Sequence, residues 1–215
     1  ITGLRGTMDA PITILGHNRP GITATGQDVF LIDGNSAWLD LEGMELTGGS
    51  RSGIIVTKSS HIAIRDCVIH HNSKWGVQTC LADHIAVEGC ELYASAQEHG
   101  IYFSTTDYPV ARNNIIHDNP RCGIHMNGDL SEGGDGMITG ATITGNTIYH
   151  CGRDGGAAIN MDGVESSFIA GNLVYENEAG GVTSYKWDGL HGGAGNAFYF
   201  NTIYFPPGIG RYGLQ

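Results

Sequence analysis

Positive charge is scarce in this chain. Eleven lysines and arginines stand against 22 aspartates and glutamates, a formal net charge of −11, and the cations are scattered, so nucleic-acid binding through phosphate neutralisation is not expected. No apolar run approaches the ~18 residues of a membrane span. Cysteine occurs five times, at 67, 80, 90, 122 and 151, with no Cys-x-x-Cys pair. That odd, dispersed set indicates neither a zinc site nor a dense disulfide framework, and buried thiols with one exposed are expected. The apolar spacing of an amphipathic helix is missing as well. The chain begins at Ile1 and shows no signal peptide, so a processed or truncated start is expected.

What is abundant is glycine, 34 of 215 residues, and it recurs in phrase. "GIIVT" (53–57), "GVQTC" (76–80), "GIYFS" (100–104), "GIHMN" (123–127), "AINMD" (158–162) and "GVTSY" (181–185) align. Their second residues, Ile54, Val77, Ile101, Ile124, Ile159 and Val182, are separated by 23, 24, 23, 35 and 23 positions. Each phrase alternates with period two, as a half-buried strand does. A second alternating phrase follows each, "IRDCVIH", "VEGCELY", "ARNNIIH", "ITGNTIY", "IAGNLVY" and "FYFNTIY". It carries one column of Cys67, Cys90, Asn114, Asn146, Asn172 and Asn201, and another of His70, Tyr93, His117, Tyr149, Tyr175 and Tyr204.

A turn this short cannot bury its own apolar face; stacking gives it neighbours above and below. The spacing therefore predicts an all-β, parallel β-helix solenoid of about 23–24 residues per turn. It forms one domain over 1–215, with opening turns in 1–52, regular turns in 53–205 and an insertion around 127–140. The asparagines are expected to hydrogen-bond along the stack, and the leading glycines to supply a backbone angle at the corner.

These phrases resemble the right-handed parallel β-helix proteins, a family dominated by extracellular polysaccharide lyases, glycosidases and epimerases. The resemblance spans roughly Pro11 to Tyr204. "GTMDAPITILGHNRPGITATG" (6–26) is similar to the opening turn of such enzymes, including the alginate lyase and chondroitinase B type. In "TKSSHIAIRDC", Lys58 matches that type's lysine-bearing turn, but the next turn lacks the expected arginine, so the catalytic pair is not carried over. The paired aspartates of polygalacturonases and the Asp-Pro-His motif of mannuronate epimerases are absent.

Strand alternation projects two outward columns: Ile55, Gln78, Tyr102, His125, Asn160, Thr183, and Thr57, Cys80, Ser104, Asn127, Asp162, Tyr185. Titratable groups concentrate on the central turns. His99, Tyr102, Arg121, His125 and Asp162 are the candidate catalytic set, with acid, base and cation held by rigid strands. Lys74, Trp75, Glu98, Arg153, Asp154, Asn160 and Tyr185 are the candidate substrate-binding residues, Trp75 and Tyr185 as sugar-stacking platforms. The longest step contains "NGDLSEGGDG"; there Asn127, Asp129, Glu132 and Asp135 offer oxygens to a calcium ion. A lengthening, "WDGLHGGAG" (187–195), is expected to wall the same cleft.

The expected function is cleavage of an extracellular polysaccharide by elimination or by hydrolysis between two carboxylates. A non-catalytic glycan-binding, adhesin or fibre segment, open to end-to-end self-association, is the alternative. The resemblance implies an extracellular or cell-surface location.

Overall fold

A computed structural model describes residues 1–215 as an all-β, parallel solenoid of about seven turns. Each turn contributes a strand to three faces. In one turn these are Ser52–Thr57 on the first face, Ser60–Arg65 on the second and Val68–His70 on the third. The third face is an eight-stranded parallel sheet running from Gly21–Thr23 to Thr202–Tyr204. The first and second faces join through Trp75–Glu88, a strand of 14 residues that bends across their shared corner.

Register follows the sequence columns. Ile54 pairs with Val77, Val77 with Ile101, Ile101 with Ile124, Ile124 with Ile159 and Ile159 with Val182. All six are buried in a continuous core of 35 residues, filled from the other faces by columns such as Ile69, Leu92, Ile116, Ile148 and Val174. Strands so short cannot stand alone; each is stabilised by the apolar side chains of the turns above and below.

The asparagine column forms a ladder. Asn114 N–H and Nδ2 both donate to Asn146 Oδ1, at 3.0 and 2.9 Å, and Asn146 N–H and Nδ2 donate likewise to Asn172 Oδ1. Each Nδ2 also donates to a carbonyl of the turn before, Asn146 to Ala111 O and Asn172 to Ile143 O. Cys90 holds the same position with a thiol that donates to Ile64 O. Outside the third face, His70, Tyr93, His117, Tyr149 and Tyr175 stack with centroids 4.8 to 5.0 Å apart. That spacing is the distance between adjacent strands.

The leading glycines have a different cause from the one expected. Gly53, Gly76, Gly100, Gly123 and Gly181 do not adopt the left-handed conformation. A Cβ on Gly100 would meet Ile116 Cγ2 at 2.5 Å and Gly123 O at 2.9 Å, so the missing side chain serves close approach between turns. Left-handed residues do sit at the bends, but most are not glycine: Lys58, Leu81 and Thr105 occupy one such column.

The long step between Ile124 and Ile159 divides between two corners. Asn127 and Thr142 lie 15 residues apart, where the preceding turn has Ser104 and Val110 six apart. The rest of the excess precedes Ala157, around Arg153–Gly155.

Replacing Asn146 by Ala should cost about 3 kcal/mol, because two buried donors of Asn114 lose their acceptor. Asn201→Ala, at a partly exposed position, should cost about 1 kcal/mol. Chemical denaturation of both variants measures the difference; equal costs would remove the ladder from its structural role.

Candidate functional site

The two outward columns of the first face are aligned as expected. Gln78, Tyr102, His125, Asn160 and Thr183 are successive register partners, and so are Cys80, Ser104, Asn127, Asp162 and Tyr185. The second column is roofed, which sequence periodicity does not reveal. The loop after Asn127 and the loop after Tyr185 meet over it, with Leu130 N donating to Asp188 O and Leu190 N to Gly136 O. Ser104, Asn127 and Asp162 are consequently buried.

Trp75, His99, Tyr102 and His125 come together. Trp75 stacks on Tyr102 with centroids 5.7 Å apart, and Tyr102 lies 5.2 Å from His125 and 5.5 Å from His99. Lys74 Nζ sits 5.3 Å from the Trp75 ring centroid. Glu98 Oε2 lies between Arg121 Nε and His99 Nε2, at 3.4 and 3.5 Å.

The histidine pair has a determined proton arrangement. Cys122 N–H donates to His99 Nδ1 at 3.1 Å, so that nitrogen carries the lone pair and Nε2 carries the proton. His99 Nε2–H then donates to His125 Nδ1 at 3.1 Å, which leaves His125 with its proton on Nε2. Burial is the main cause that lowers both, His99 well below the ordinary histidine range and His125 to about 4. His125 is therefore a neutral N–H donor whose Nδ1 lone pair is engaged by His99. Tyr102 is raised above the ordinary phenol value, mainly by burial, although Asn127 Nδ2 donates to its oxygen at 3.1 Å. It remains a protonated phenol.

Four buried polar atoms on this face have no hydrogen-bond partner in the protein: Trp75 Nε1, Ser104 Oγ, His125 Nε2 and Asn127 Oδ1. Only two others occur in the molecule, on His61 and Asn72. An unsatisfied buried polar atom costs about 1–3 kcal/mol; Ser104 Oγ and Asn127 Oδ1 lie beneath the roofing loops, whereas Trp75 Nε1 and His125 Nε2 belong to the aromatic cluster beside them.

Asp162 requires correction. Its Oδ1 accepts from Trp187 N at 2.7 Å and Gly189 N at 3.3 Å, and its Oδ2 from Asp188 N at 2.8 Å. Both oxygens hold the roofing loop, so the residue is an anchor and is not free to act on a substrate. Arg153 and Asp154 pair with each other at 3.3 Å, and Arg153 faces Asp118, His150 and Glu178 at another corner, away from His125. Asn160 and Tyr185 lie one and two turns beyond the histidine, joined by Asn160 Nδ2 donating to Tyr185 OH at 2.7 Å.

The oxygens expected to bind calcium do not converge. Asp129 Oδ1 accepts from Ser131 N and Oγ, Glu132 Oε2 from Cys80 Sγ, and Asp135 Oδ1 from Met137 N. Asn127 Nδ2 points instead to Tyr102 OH and Asp188 Oδ2. Two other groups bring metal-ligating atoms within 4.8 Å of one another. In His99, Cys122 and His125, a metal on His99 Nε2 would force the ring proton onto Nδ1, where Cys122 N–H already points. In His61, Asp83 and His84, the imidazoles are stacked 4.6 Å apart and within 4° of parallel between Trp38 and Tyr108. One ion cannot lie in both ring planes, as ligation by both lone pairs requires.

Trp187, Asp188 and Cys122 had no place among the sequence candidates. The signal for the first two was the lengthened segment after Tyr185; for Cys122 there was none, because its backbone N–H does the work.

Stability should fall with acid through the histidines. Because the folded pKa of His125 is depressed to about 4, its contribution is intact above the unfolded value of about 6.5 and is lost as pH falls toward 4, in total about 3 kcal/mol. His99 acts in the same direction. Urea midpoints across this range should show a shallower slope for His125→Gln than for the parent; identical slopes would refute the assignment.

The family described as "Right handed beta helix region" matches residues 12–132, more than half the chain. No curated protein matches in sequence. Among solved structures, the chain is similar to pectate lyase Pel9A with TM-score 0.63 and 14% identity, over 98% of this chain and 64% of that one. The periplasmic alginate epimerase AlgG gives 0.64 and 15%, over 85% and 43%. PfbA, a surface adhesin of Streptococcus pneumoniae, gives 0.65 and 14%, over 82% and 50%. The chain thus spans less than two thirds of each of these structures, and at such identities the likeness shows the fold. With the stacked turns, the asparagine ladder and the matched segment in agreement, the chain belongs to the right-handed β-helix family.

Proposed function

We propose that the chain binds an extended polysaccharide along its first face and cleaves it at the centre formed by Tyr102, His125 and Asp188. The observation that supports this reading most is the pair of unpartnered N–H donors on Trp75 and His125, which belong to different turns of the first face outside the roofed column. A hydroxyl-rich polymer lying along the solenoid axis satisfies donors on more than one turn at once. Trp75, packed against Tyr102, offers an apolar platform to a sugar ring.

In this reading Tyr102 is the acid that protonates the leaving oxygen, since its phenol holds its proton at neutral pH. His125 Nε2–H stabilises negative charge developing on the substrate. Asp188 is the base: its Oδ2 lies 3.4 Å from Asn127 Nδ2, and its side chain is exposed rather than locked. Extracellular or cell-surface placement accompanies this substrate class. The polysaccharide-named structures of the same fold are consistent with it.

Non-catalytic glycan binding is the second reading. It is favoured by Asp162, the most central carboxylate, being committed to the loop.

A panel of neutral and acidic polysaccharides, with and without calcium, should be followed for binding, reducing ends and the absorbance of unsaturated products. Reducing ends with that absorbance identify elimination, and without it hydrolysis. Tyr102→Phe should lower turnover at least 100-fold with binding nearly unchanged, and Trp75→Ala should weaken binding about 10-fold. Binding without products selects the second reading, and full turnover by Tyr102→Phe refutes the acid.

A further inference from the structure

Two of the five cysteines are stacked on each other. Cys67 and Cys90 are flanked by the register pairs of Arg65 with Glu88 and Val68 with Glu91, so they hold the same position in adjacent turns. Backbone bonds bracket them, Asp66 N–H to Glu88 O at 3.1 Å and Glu91 N–H to Cys67 O at 3.0 Å. Both are buried free thiols. Neighbouring strands are about 4.8 Å apart, within the Cα separation that a disulfide spans. The other three have no such partner. Cys80 has Thr57 and Ser104 as register neighbours, Cys151 is bonded to Asn119 and Asn177, and Cys122 faces His99.

The column in which the pair stands shows what these two turns lack. Later turns fill it with asparagine, whose side-chain oxygen receives an N–H and whose Nδ2 reaches a carbonyl of the turn before. Cys90 N–H still finds such an oxygen, Asn114 Oδ1 at 2.9 Å. Cys67 N–H meets the Cys90 sulfur instead, and sulfur is a weak acceptor. The thiols themselves donate to carbonyls, Cys90 Sγ to Ile64 O at 3.5 Å and Cys67 Sγ to Arg65 O at 3.2 Å. The side-chain tie between turns is therefore weaker here than between asparagines.

A surface pocket of about 210 Å³ at this bend is lined by both cysteines together with Arg19, Asp66 and Asn113, which gives a small reagent a way in. The two thiols also differ from each other. Cys67 is held below the ordinary thiol value, first by the Cys90 thiol beside it, and Cys90 is raised well above that value by the same contact. Cys67 is thus the thiol that ionises first, and a thiolate is the nucleophile of disulfide exchange. Burial pushes Cys122 and Cys151 up to about 12, and burial with the bond to Glu132 pushes Cys80 up to about 12.

We propose that Cys67 and Cys90 form a modification site, at which a small-molecule disulfide converts the stacked thiols into a covalent link between adjacent turns. The Cys67 thiolate attacks one sulfur of R–S–S–R; that S–S bond breaks, and the first R–S⁻ leaves and takes up a proton. Cys90 then gives up its proton and attacks the Cys67 sulfur of the mixed disulfide, and the second R–S⁻ leaves. Two protein thiols are oxidised and the reagent is reduced to two thiols. The link closes one turn of the solenoid, from residue 67 to residue 90, and supplies by a bond the tie that asparagine supplies elsewhere. An oxidising compartment favours it. This chemistry is independent of the polysaccharide reading.

The test incubates the whole folded chain, reduced beforehand, with bis(2-hydroxyethyl) disulfide in the absence of denaturant. Remaining thiols are then alkylated after unfolding, and the intact mass and the peptides are read. Digestion with trypsin and glutamyl endopeptidase puts Cys67, Cys80 and Cys90 on separate peptides, because Arg65, Lys74 and Glu88 provide the cuts. The expected result is the loss of two hydrogen atoms, one linked peptide pair carrying Cys67 and Cys90, and alkylation of the other three cysteines. The melting temperature should rise by roughly 5 °C and return on reduction. Cys80→Ser should retain the link and Cys67→Ser should form none, with circular dichroism matching the parent to establish the fold of each. Five alkylated cysteines after equilibration, a lasting adduct of the reagent, a bond through Cys80, Cys122 or Cys151, or a link formed only in urea overturns the site. A link that leaves the melting temperature unchanged overturns its role as a tie between turns.

Discussion

At the bend between the second and third faces a backbone N–H turns out of the strand ladder, and the side chain of the following turn receives it. Asn146 does this for Asn114, and Asn172 for Asn146, while each Nδ2 reaches a carbonyl of the preceding turn. Where the amide stands it pairs a backbone N–H and a carbonyl that the bend would leave buried and unpaired, and in the earlier turns Cys67 and Cys90 fill the same column. The ladder ties successive turns together, and the columns of the first face share the same register. Catalytic or binding groups projected from it inherit that alignment.

Loops then convert a regular surface into a specific one. The insertion after Asn127 and the segment after Tyr185 bond to each other and cover the column containing Ser104 and Asn127. Asp162 links the two levels, since a strand residue carries the loop's amides on its carboxylate. The position of Trp187 and Asp188 over the face is therefore set by the solenoid itself. The histidine pair shows the same economy: one backbone N–H, from Cys122, decides which nitrogen of His125 bears a proton two bonds further on.

The periodic part of this arrangement was legible in the sequence. Spacings of 23 and 24 residues located the strands, the asparagine column and both outward columns, because each turn repeats the same burial pattern. What broke the repeat was read less well. Asp162 looked like a catalytic carboxylate because alternation says only that it points outward, and the loop that occupies it begins 25 residues later. Arg153 was grouped with the face although its short extension carries it around the corner. The leading glycines looked like bends, whereas inter-turn contact is what forbids their side chains.

Contacts between turns are almost wholly nearest-neighbour, and this has a mechanical consequence. Under tension the core, though continuous, is held only by contacts between adjacent turns, so a solenoid yields turn by turn, each release exposing the next. Each released turn of 23 residues lengthens the tether by about 80 Å when extended. Under load the chain would pay out as a series of even steps, with one longer step where the turn containing the insertion comes free.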